Sequence, residues 1–317
     1  MNILTNTAKQ KDISRYLDPA YLVRWGLYPL LISWYLLCIS YVLLYPAQMR
    51  ELQMIMVGTM LSALFACEWW LPYQKRWGMT WGYLLKRDLV FIGLNGVTMG
   101  LLSIALVSLA IEVSEFTQGP MAGKPLWIQF VVAILSFEAI QYSVHRIMHE
   151  SRGPVTNFLW RSHAIHHLPQ QLYVVMHAVF HPFNAIIVRL VVQMLPLWFW
   201  GFDPMAVFIS YSIIGFHGTI SHFNVDLRMG WLNYVFIGPE LHRYHHSANS
   251  HDAVNYGAAL SLFDLLGKTF LYRPGIAPRE LGLKEENGYP GQIRPLASFL
   301  FAFSTHPVTA SPKQLEL

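Results

Sequence analysis

The sequence predicts an all-α integral-membrane protein, a bundle of about six transmembrane helices with a helical cap on the cytoplasmic side. Three observations predict it. The 317 residues are 54% hydrophobic and 15% aromatic but only 13% charged, a balance found in bilayer proteins rather than water-soluble ones. Apolar runs long enough to cross hydrocarbon recur along the chain. All fourteen histidines fall from His145 onward, beyond the first four of those runs.

Trp25 to Tyr45 and Leu89 to Ile111 carry no charge, and Leu52 to Leu71 and Leu126 to Val144 carry one carboxylate each. Each is close to the roughly 20 residues that a helix needs to span hydrocarbon, longer than most buried core helices of soluble proteins. Phe183 to Trp200 and Met205 to Phe223 form a hairpin around Gly201-Phe202-Asp203-Pro204, with Arg189 weakening the first of the pair. These make six expected spans.

Lysine and arginine near span ends stay on the cytoplasmic side. Lys9, Lys11, Arg15 and Arg24 precede the first span, and Lys75, Arg76, Lys86 and Arg87 lie between the second and third. The intervening loops offer only Arg50 and Lys124. The amino terminus is therefore expected in the cytoplasm, and with six spans every histidine-rich segment returns to that face. A bacterial inner membrane or the endoplasmic reticulum would both suit, and no retrieval signal is visible in Pro312 to Leu317. The first span is expected to remain as an anchor, because polar residues fill the preceding positions and no cleavage motif follows.

Three segments are expected: a membrane anchor over residues 1–117, a catalytic membrane domain over 118–273, and a cytoplasmic or interfacial tail over 274–317 with no catalytic role. The net charge of +4 is modest and serves topology, so nucleic-acid binding has little support. Cys38 and Cys67 both fall in predicted spans, which leaves no disulfide framework, iron–sulfur ligand set or C-x-x-C pair.

Four clusters concentrate the histidines. His145 and His149 end the fourth span at i,i+4 spacing, which puts both rings on one helix face. His163, His166 and His167 follow, then His217 and His222, then His242, His245 and His246. Spacing i,i+5 in the third cluster would aim its rings about 140° apart on a regular helix, so a π-bulge or a break beside Gly218 is expected there. Ten imidazoles at a membrane surface would each need a partner, and protonated ones would repel. A metal cation takes their lone pairs while the outer N–H groups bond to carbonyls or carboxylates. Ten rings at four or five per ion imply two ions. Imidazole accepts zinc, copper, iron or nickel, so ligand type leaves the element open.

The order H-x3-H, H-x2-HH, a later histidine pair and a second H-x2-HH, from roughly Phe137 to Arg273, resembles the fatty acid hydroxylase and sterol desaturase superfamily of membrane di-iron oxygenases. Its motifs are specific as a set rather than singly. Glu138, seven residues before His145, stands where the family more often has Asp; His181-Pro182, Leu159-Trp160-Arg161, Asn255-Tyr256-Gly257, Leu260-Ser261 and Asp264 fit further family positions. The resemblance implies that all ten clustered histidines ligate two iron ions, with O2 as cosubstrate. It also implies hydrogen abstraction from an unactivated lipid C–H bond, the protein positioning the carbon. Zinc has no redox change to offer, so zinc in a purified sample would be a replacement.

Glu138 is expected to accept an N–H bond from a ligand imidazole, and His181 and Asn255 to support the site from behind. His177 and His181 are i,i+4 but are not taken as a further metal pair; they would face the substrate entrance or hold the loop. His251 and Asp252 could orient the last cluster, and His306 is incidental. Trp69, Trp70, Trp198 and Trp200 read as interfacial belt residues.

O2 activation needs external electrons, and the chain has no dinucleotide fingerprint or haem domain. A ferredoxin, a cytochrome or a reduced pterin would supply them, with Lys75, Arg76, Lys86 and Arg87 as a dock for an acidic partner. Hydroxylation ranks first; desaturation or ether-lipid (alkylglycerol) monooxygenation would use the same metals. A histidine-rich metal transporter is the reading from another class, although transporters place their ligands near the bilayer midplane on broken helices.

Overall fold

The computed structural model describes residues 18–113, 119–150 and 153–305. Within them the chain is helical, with three isolated β-bridges and no strand. Lys9, Lys11, Arg15, His306, Pro312 to Leu317 and the boundary expected between residues 117 and 118 lie outside the described residues.

The first helix, α1 (Pro19–Leu44), starts where Asp18 accepts a hydrogen bond from the Ala20 N–H at 3.0 Å, an N-cap that occupies one orphan donor. At 1.5 Å per residue its 26 residues span about 39 Å, enough for the hydrocarbon layer. It runs against α2 (Met49–Trp70), to which the Trp34 indole donates through Thr59 Oγ1 at 3.0 Å. A π-helical turn, Leu84–Asp88, leads into α3 (Leu89–Val113). Beyond a loop come α4 (Leu126–His149) and α5 (Pro154–His167). The next apolar stretch is broken into α6 (Pro182–Ile187), a π-helical segment Val188–Met194, and α7 (Leu195–Trp200). Gly201, in the left-handed conformation at φ 64°, turns the chain into α8 (Pro204–Ser221). Short helices α9 (Pro239–His245), α10 (Leu262–Leu266) and α11 (Pro295–Phe301) complete the cap.

Among the described residues five helices are long and apolar enough to cross a membrane: Pro19–Leu44, Pro46–Trp70, Lys75–Ala105, Leu126–His149 and Pro182–Trp200. Their outer faces leave Leu30, Leu37, Val97, Leu101 and Ile104 more than half exposed, an apolar surface that lipid rather than water covers. The sixth expected run is α8, the central post of the bundle. It packs on α1, α2, α4 and α9, and most of its side chains are buried, from Ala206 to Ser221. One continuous core joins α1, α2, α4 and α8 through Tyr35, Val42, Leu64, Phe137 and Phe216.

Five loop-side contacts hold the cap on this bundle. Glu68, near the end of α2, accepts from the Val174 and Asn224 N–H groups at 3.0 and 2.8 Å. Arg24 pairs with Asp226 at 2.7 Å. Arg243 donates to Phe223 O at 3.1 Å, and its guanidinium lies over the Tyr73 ring. The segment after 273 is bound too: His246 O accepts from Gly282 N–H at 3.1 Å, and α11 lays Phe301 among Trp160, Leu168 and Tyr289 while Leu296 and Leu300 stay exposed.

One sequence expectation meets a different environment here. Arg87 is fully buried, paired with Asp88 and donating to Tyr173 Oη at 3.0 Å, so it is removed from the expected dock, whereas Lys75, Arg76 and Lys86 are exposed. Trp69, Trp70 and Trp198 are exposed at helix ends, as an interfacial belt requires.

Candidate metal centre

Nine of the ten clustered histidines meet at the cap's inner surface, in two groups. His145, His149, His163, His167 and His245 form one; His166, His222, His242 and His246 form the other. Within each group the ligand nitrogens lie within 4.8 Å of one another, and all nine residues are buried.

Helical period explains the division. On α5, positions 163 and 167 are four apart and share a face, whereas 166 is turned about 100° from its neighbour 167. The H-H doublet therefore cannot serve one ion, and His166 points to the second group while His163 and His167 point to the first. The last cluster repeats this in mirror: His242 and His246 share a face toward the second group, and His245 turns to the first.

His217 joins neither group. The bulge expected beside Gly218 did not form: α8 is a regular α-helix through Ser221, so the five-residue spacing keeps the two rings diverging. His217 Nδ1–H donates to Ile237 O at 3.1 Å, and the ring stacks on Phe236 with centroids 4.5 Å apart. The π-helical turns lie at Leu84–Asp88 and Val188–Met194 instead.

The ring nitrogens themselves report what fits between them. His145 Nε2 and His167 Nε2 each lie 3.0 Å from His163 Nε2. In the second group the steps His166–His222, His222–His242 and His242–His246, Nε2 to Nε2, are 2.9, 3.0 and 3.1 Å. Two nitrogens bound at right angles to one ion at about 2.1 Å are about 3.0 Å apart. On five of these rings the outer nitrogen meets a carbonyl acceptor: His145 Nδ1–H donates to Tyr256 O at 2.7 Å, His163 to Asn184 Oδ1 at 3.0 Å, His245 to Val254 O at 3.1 Å, and His166 to Val179 O and His222 to Gly218 O both at 3.3 Å. A ring that donates from Nδ1 as a neutral imidazole presents a bare lone pair at Nε2. Lone pairs converging at 3 Å repel unless a cation lies among them, so these residues fit two metal ions.

Burial and neighbouring charge agree with that tautomer. Burial first, then the charges of adjacent rings, hold His163, His167 and His245 well below the ordinary imidazole range, and burial pushes His246 down to about 3. The sign follows: unfolded histidines take up protons near pH 6.5 while the folded ones do not, so below that value the unfolded state binds more protons and stability falls. Protons also compete with metal for the same lone pairs. The thermal midpoint and metal content of the purified protein should hold steady above about pH 7 and decline together from about pH 6.5 toward 3; a midpoint unchanged to about pH 4 would contradict the buried, neutral cage.

Glu138 reaches the site by another route than expected. Its carboxylate is fully buried and accepts from Ala258 N–H at 2.6 Å and Ala259 N–H at 3.1 Å, touching no ligand ring. Asp264 accepts from Tyr256 and Gly257 N–H, both at 2.8 Å. The two carboxylates clamp the Asn255-Tyr256-Gly257 turn that offers Tyr256 O to His145. Asn255 sits at φ 63°, a left-handed position that Asn tolerates better than most residues, and its side chain bridges Leu241 O in α9 and Leu271. At Gly257 a Cβ would meet Leu260 O at 2.5 Å and the Glu138 and Asp264 carboxylates at 3.0 and 2.9 Å, which explains why that position has no side chain.

His181 is fully buried, caps α6 by accepting from Phe183 N–H at 3.1 Å, and stacks against Phe299 of α11. It thereby fixes the start of the helix that carries Asn184. Asp252 is engaged by Arg273 at 2.9 Å, and His251 is exposed. Sequence reasoning missed Asn184, whose only signal is its place three residues after His181. Removing it leaves His163 without its acceptor, and loss of such a partner costs roughly 10–100-fold in metal affinity. Asn184→Ala should therefore lower metal affinity by that factor in a chelator competition, with helicity retained.

Above the rings opens a cavity of about 380 Å³, within the usual range for small-molecule sites. His145, His163, His166, His222 and His242 line one side; Met99, Phe137, Val144, Met148, Phe180 and Ile214 supply apolar wall. Arg189 and Gln193, from the π-helical segment, face it as well, and Arg189 donates to Gln193 Oε1 at 3.0 Å.

Residues 130–269 match the family model for fatty acid hydroxylase. The ornithine lipid hydroxylase OlsE of Rhizobium tropici is 33% identical over 173 residues, 53% of this chain and 50% of that protein. The match thus spans about half the length of this curated relative. No solved structure matches the chain. Over residues 130–269, the segment that brings nine buried imidazoles together, this chain is similar to the fatty acid hydroxylase family.

Proposed function

We propose that this chain is a membrane-bound, O2-dependent lipid hydroxylase whose nine converging imidazoles hold two iron ions, with its amino terminus and metal site on the cytoplasmic side. The observation that carries this reading is the convergence of Nε2 atoms at 2.9–3.1 Å below an apolar cavity. Bound iron would supply O2 activation and abstraction of hydrogen from an unactivated C–H bond. The protein's own part is placement. The Nδ1 acceptors fix the rings of His145, His163, His166, His222 and His245, the apolar wall takes an alkyl or acyl chain and excludes water, and the cavity leads the reacting carbon to the His145, His163 and His242 side.

Arg189 bears on the substrate class. An arginine within a membrane helix is costly and usually marks a functional site, and this one faces the cavity rather than lipid. Its guanidinium suits a carboxylate or phosphate, so the substrate we infer is an anionic or zwitterionic polar lipid, a class that includes the ornithine lipid named for the relative. Electrons come from an external ferredoxin, cytochrome or reduced pterin, and Lys75, Arg76 and Lys86 are the exposed cations left for an acidic donor.

Comparing the lipids of cells with and without the gene tests this reading. Expected is a polar lipid that gains one oxygen only when the gene is present. In purified assays Arg189→Ala should raise KM for that lipid by roughly 10–100-fold, the loss of one hydrogen bond to a charged group, with kcat little changed. A lipidome identical in both strains, or a loss of two hydrogens in place of the oxygen gain, would refute hydroxylation.

A further inference from the structure

The two groups of histidines are unequal, five rings against four. Three same-face pairs in this chain are four residues apart: His145 with His149, His163 with His167, and His242 with His246. His222, at the end of α8, lacks such a partner, because the residue one turn before it is Gly218.

That position is not open space. A Cβ on Gly218 would come within 2.9 Å of His177 Cε1 and 3.5 Å of His177 Nε2. The ring of His177, carried by the 3-10 turn Val174–Ala178, therefore lies where a side chain from position 218 would begin. It lines the cavity together with His166, His222 and His242, and its centroid is 5.3 Å from that of His222. Centroid separations inside the second group run from 4.3 Å, His222 to His242, up to 6.5 Å, His166 to His242. His177 thus stands at that spacing from His222, although its ring nitrogens lie outside the four-residue group, and the missing side chain at 218 is what lets it approach.

We propose that His177 is the fifth imidazole of the second ion, supplied by the loop before α6 in place of an i,i+4 partner for His222. This rests on the two-ion reading above. It makes Gly218 part of the site through its lack of a side chain, and it gives both ions the same number of protein nitrogens. It also places the last ligand on the cavity side, the face by which substrate approaches.

The test measures metal rather than turnover. The full chain is purified in detergent, loaded with ferrous iron under anaerobic conditions, and its iron per chain is counted before and after challenge with a chelator. Wild type should hold two irons. His177→Ala should retain the first and release the second at least tenfold more readily, leaving about one per chain. The double variant His177→Ala with Gly218→His returns an imidazole to the face of His222 and should recover the second iron. Two irons in His177→Ala with unchanged chelator resistance would overturn the assignment, as would a folded double variant that holds only one. If the single variant fails to fold, the double variant decides by the same count. A wild-type chain with fewer than two irons removes the two-ion reading, and the assignment with it.

Discussion

His163→Ala is expected to abolish lipid hydroxylation and strip iron from the protein. His163 is the hub of the first group: its Nε2 lies 3.0 Å from those of both His145 and His167, and its Nδ1–H is held by Asn184. Loss of an outer partner alone lowers metal affinity or activity by roughly 10–100-fold, so loss of the ligand itself should exceed the upper end of that range. Turnover per chain and iron content are the two readouts, and they should fall together. The fold should survive, because α5 is also anchored by Trp160, Ala164 and Leu168 against Tyr289 and Phe301. His217→Ala is the matched control. It lies outside both groups, so it should keep iron while losing its hydrogen bond to Ile237 O and its stacking on Phe236. A His163→Ala protein that retains both irons would end the assignment of these rings as ligands.

Glu138→Ala should have the largest effect on stability of any single change outside the ligands. The carboxylate is fully buried and serves two backbone N–H groups, at Ala258 and Ala259. Truncation leaves both donors without a partner inside the protein, and each orphaned buried group costs about 1–3 kcal/mol. A total of roughly 2–6 kcal/mol is a large share of the stability of any domain. The turn that Glu138 holds presents Tyr256 O to His145, so the same variant should loosen the first ion. Its thermal midpoint in detergent should drop sharply, and added iron should restore less of it than in wild type. Glu138→Gln keeps one carbonyl oxygen for Ala258 and should lose far less. Equal midpoints for wild type and Glu138→Ala would show that the turn is held by Asp264 alone.

Much of the site was legible because helical period is local. His145 with His149, His163 with His167, and His242 with His246 had to share faces, whatever the rest of the chain did. Third-cluster geometry was open for the same reason: i,i+5 demands either a bulge or a divergence, and nothing near residues 217–222 selects between them. The role of Glu138 was half legible. A carboxylate inside a span needs partners, but that these would be N–H groups 120 residues away could not be read from neighbours in sequence. Arg87 was misplaced because its burial depends on Tyr173 and Asp88 closing over it.

By itself the sequence determined the helical class, the apolar runs and which histidines lie on a common face, since all three follow from composition and from a 3.6-residue repeat. Only the tertiary structure decided that nine rings divide five and four, that His217 is turned away, that α8 is a buried post, and that His177 lies beside Gly218. Those outcomes depend on how α4, α5, α8 and α9 are rotated about their own axes when they pack, and rotation is set by long-range contacts that no local repeat encodes.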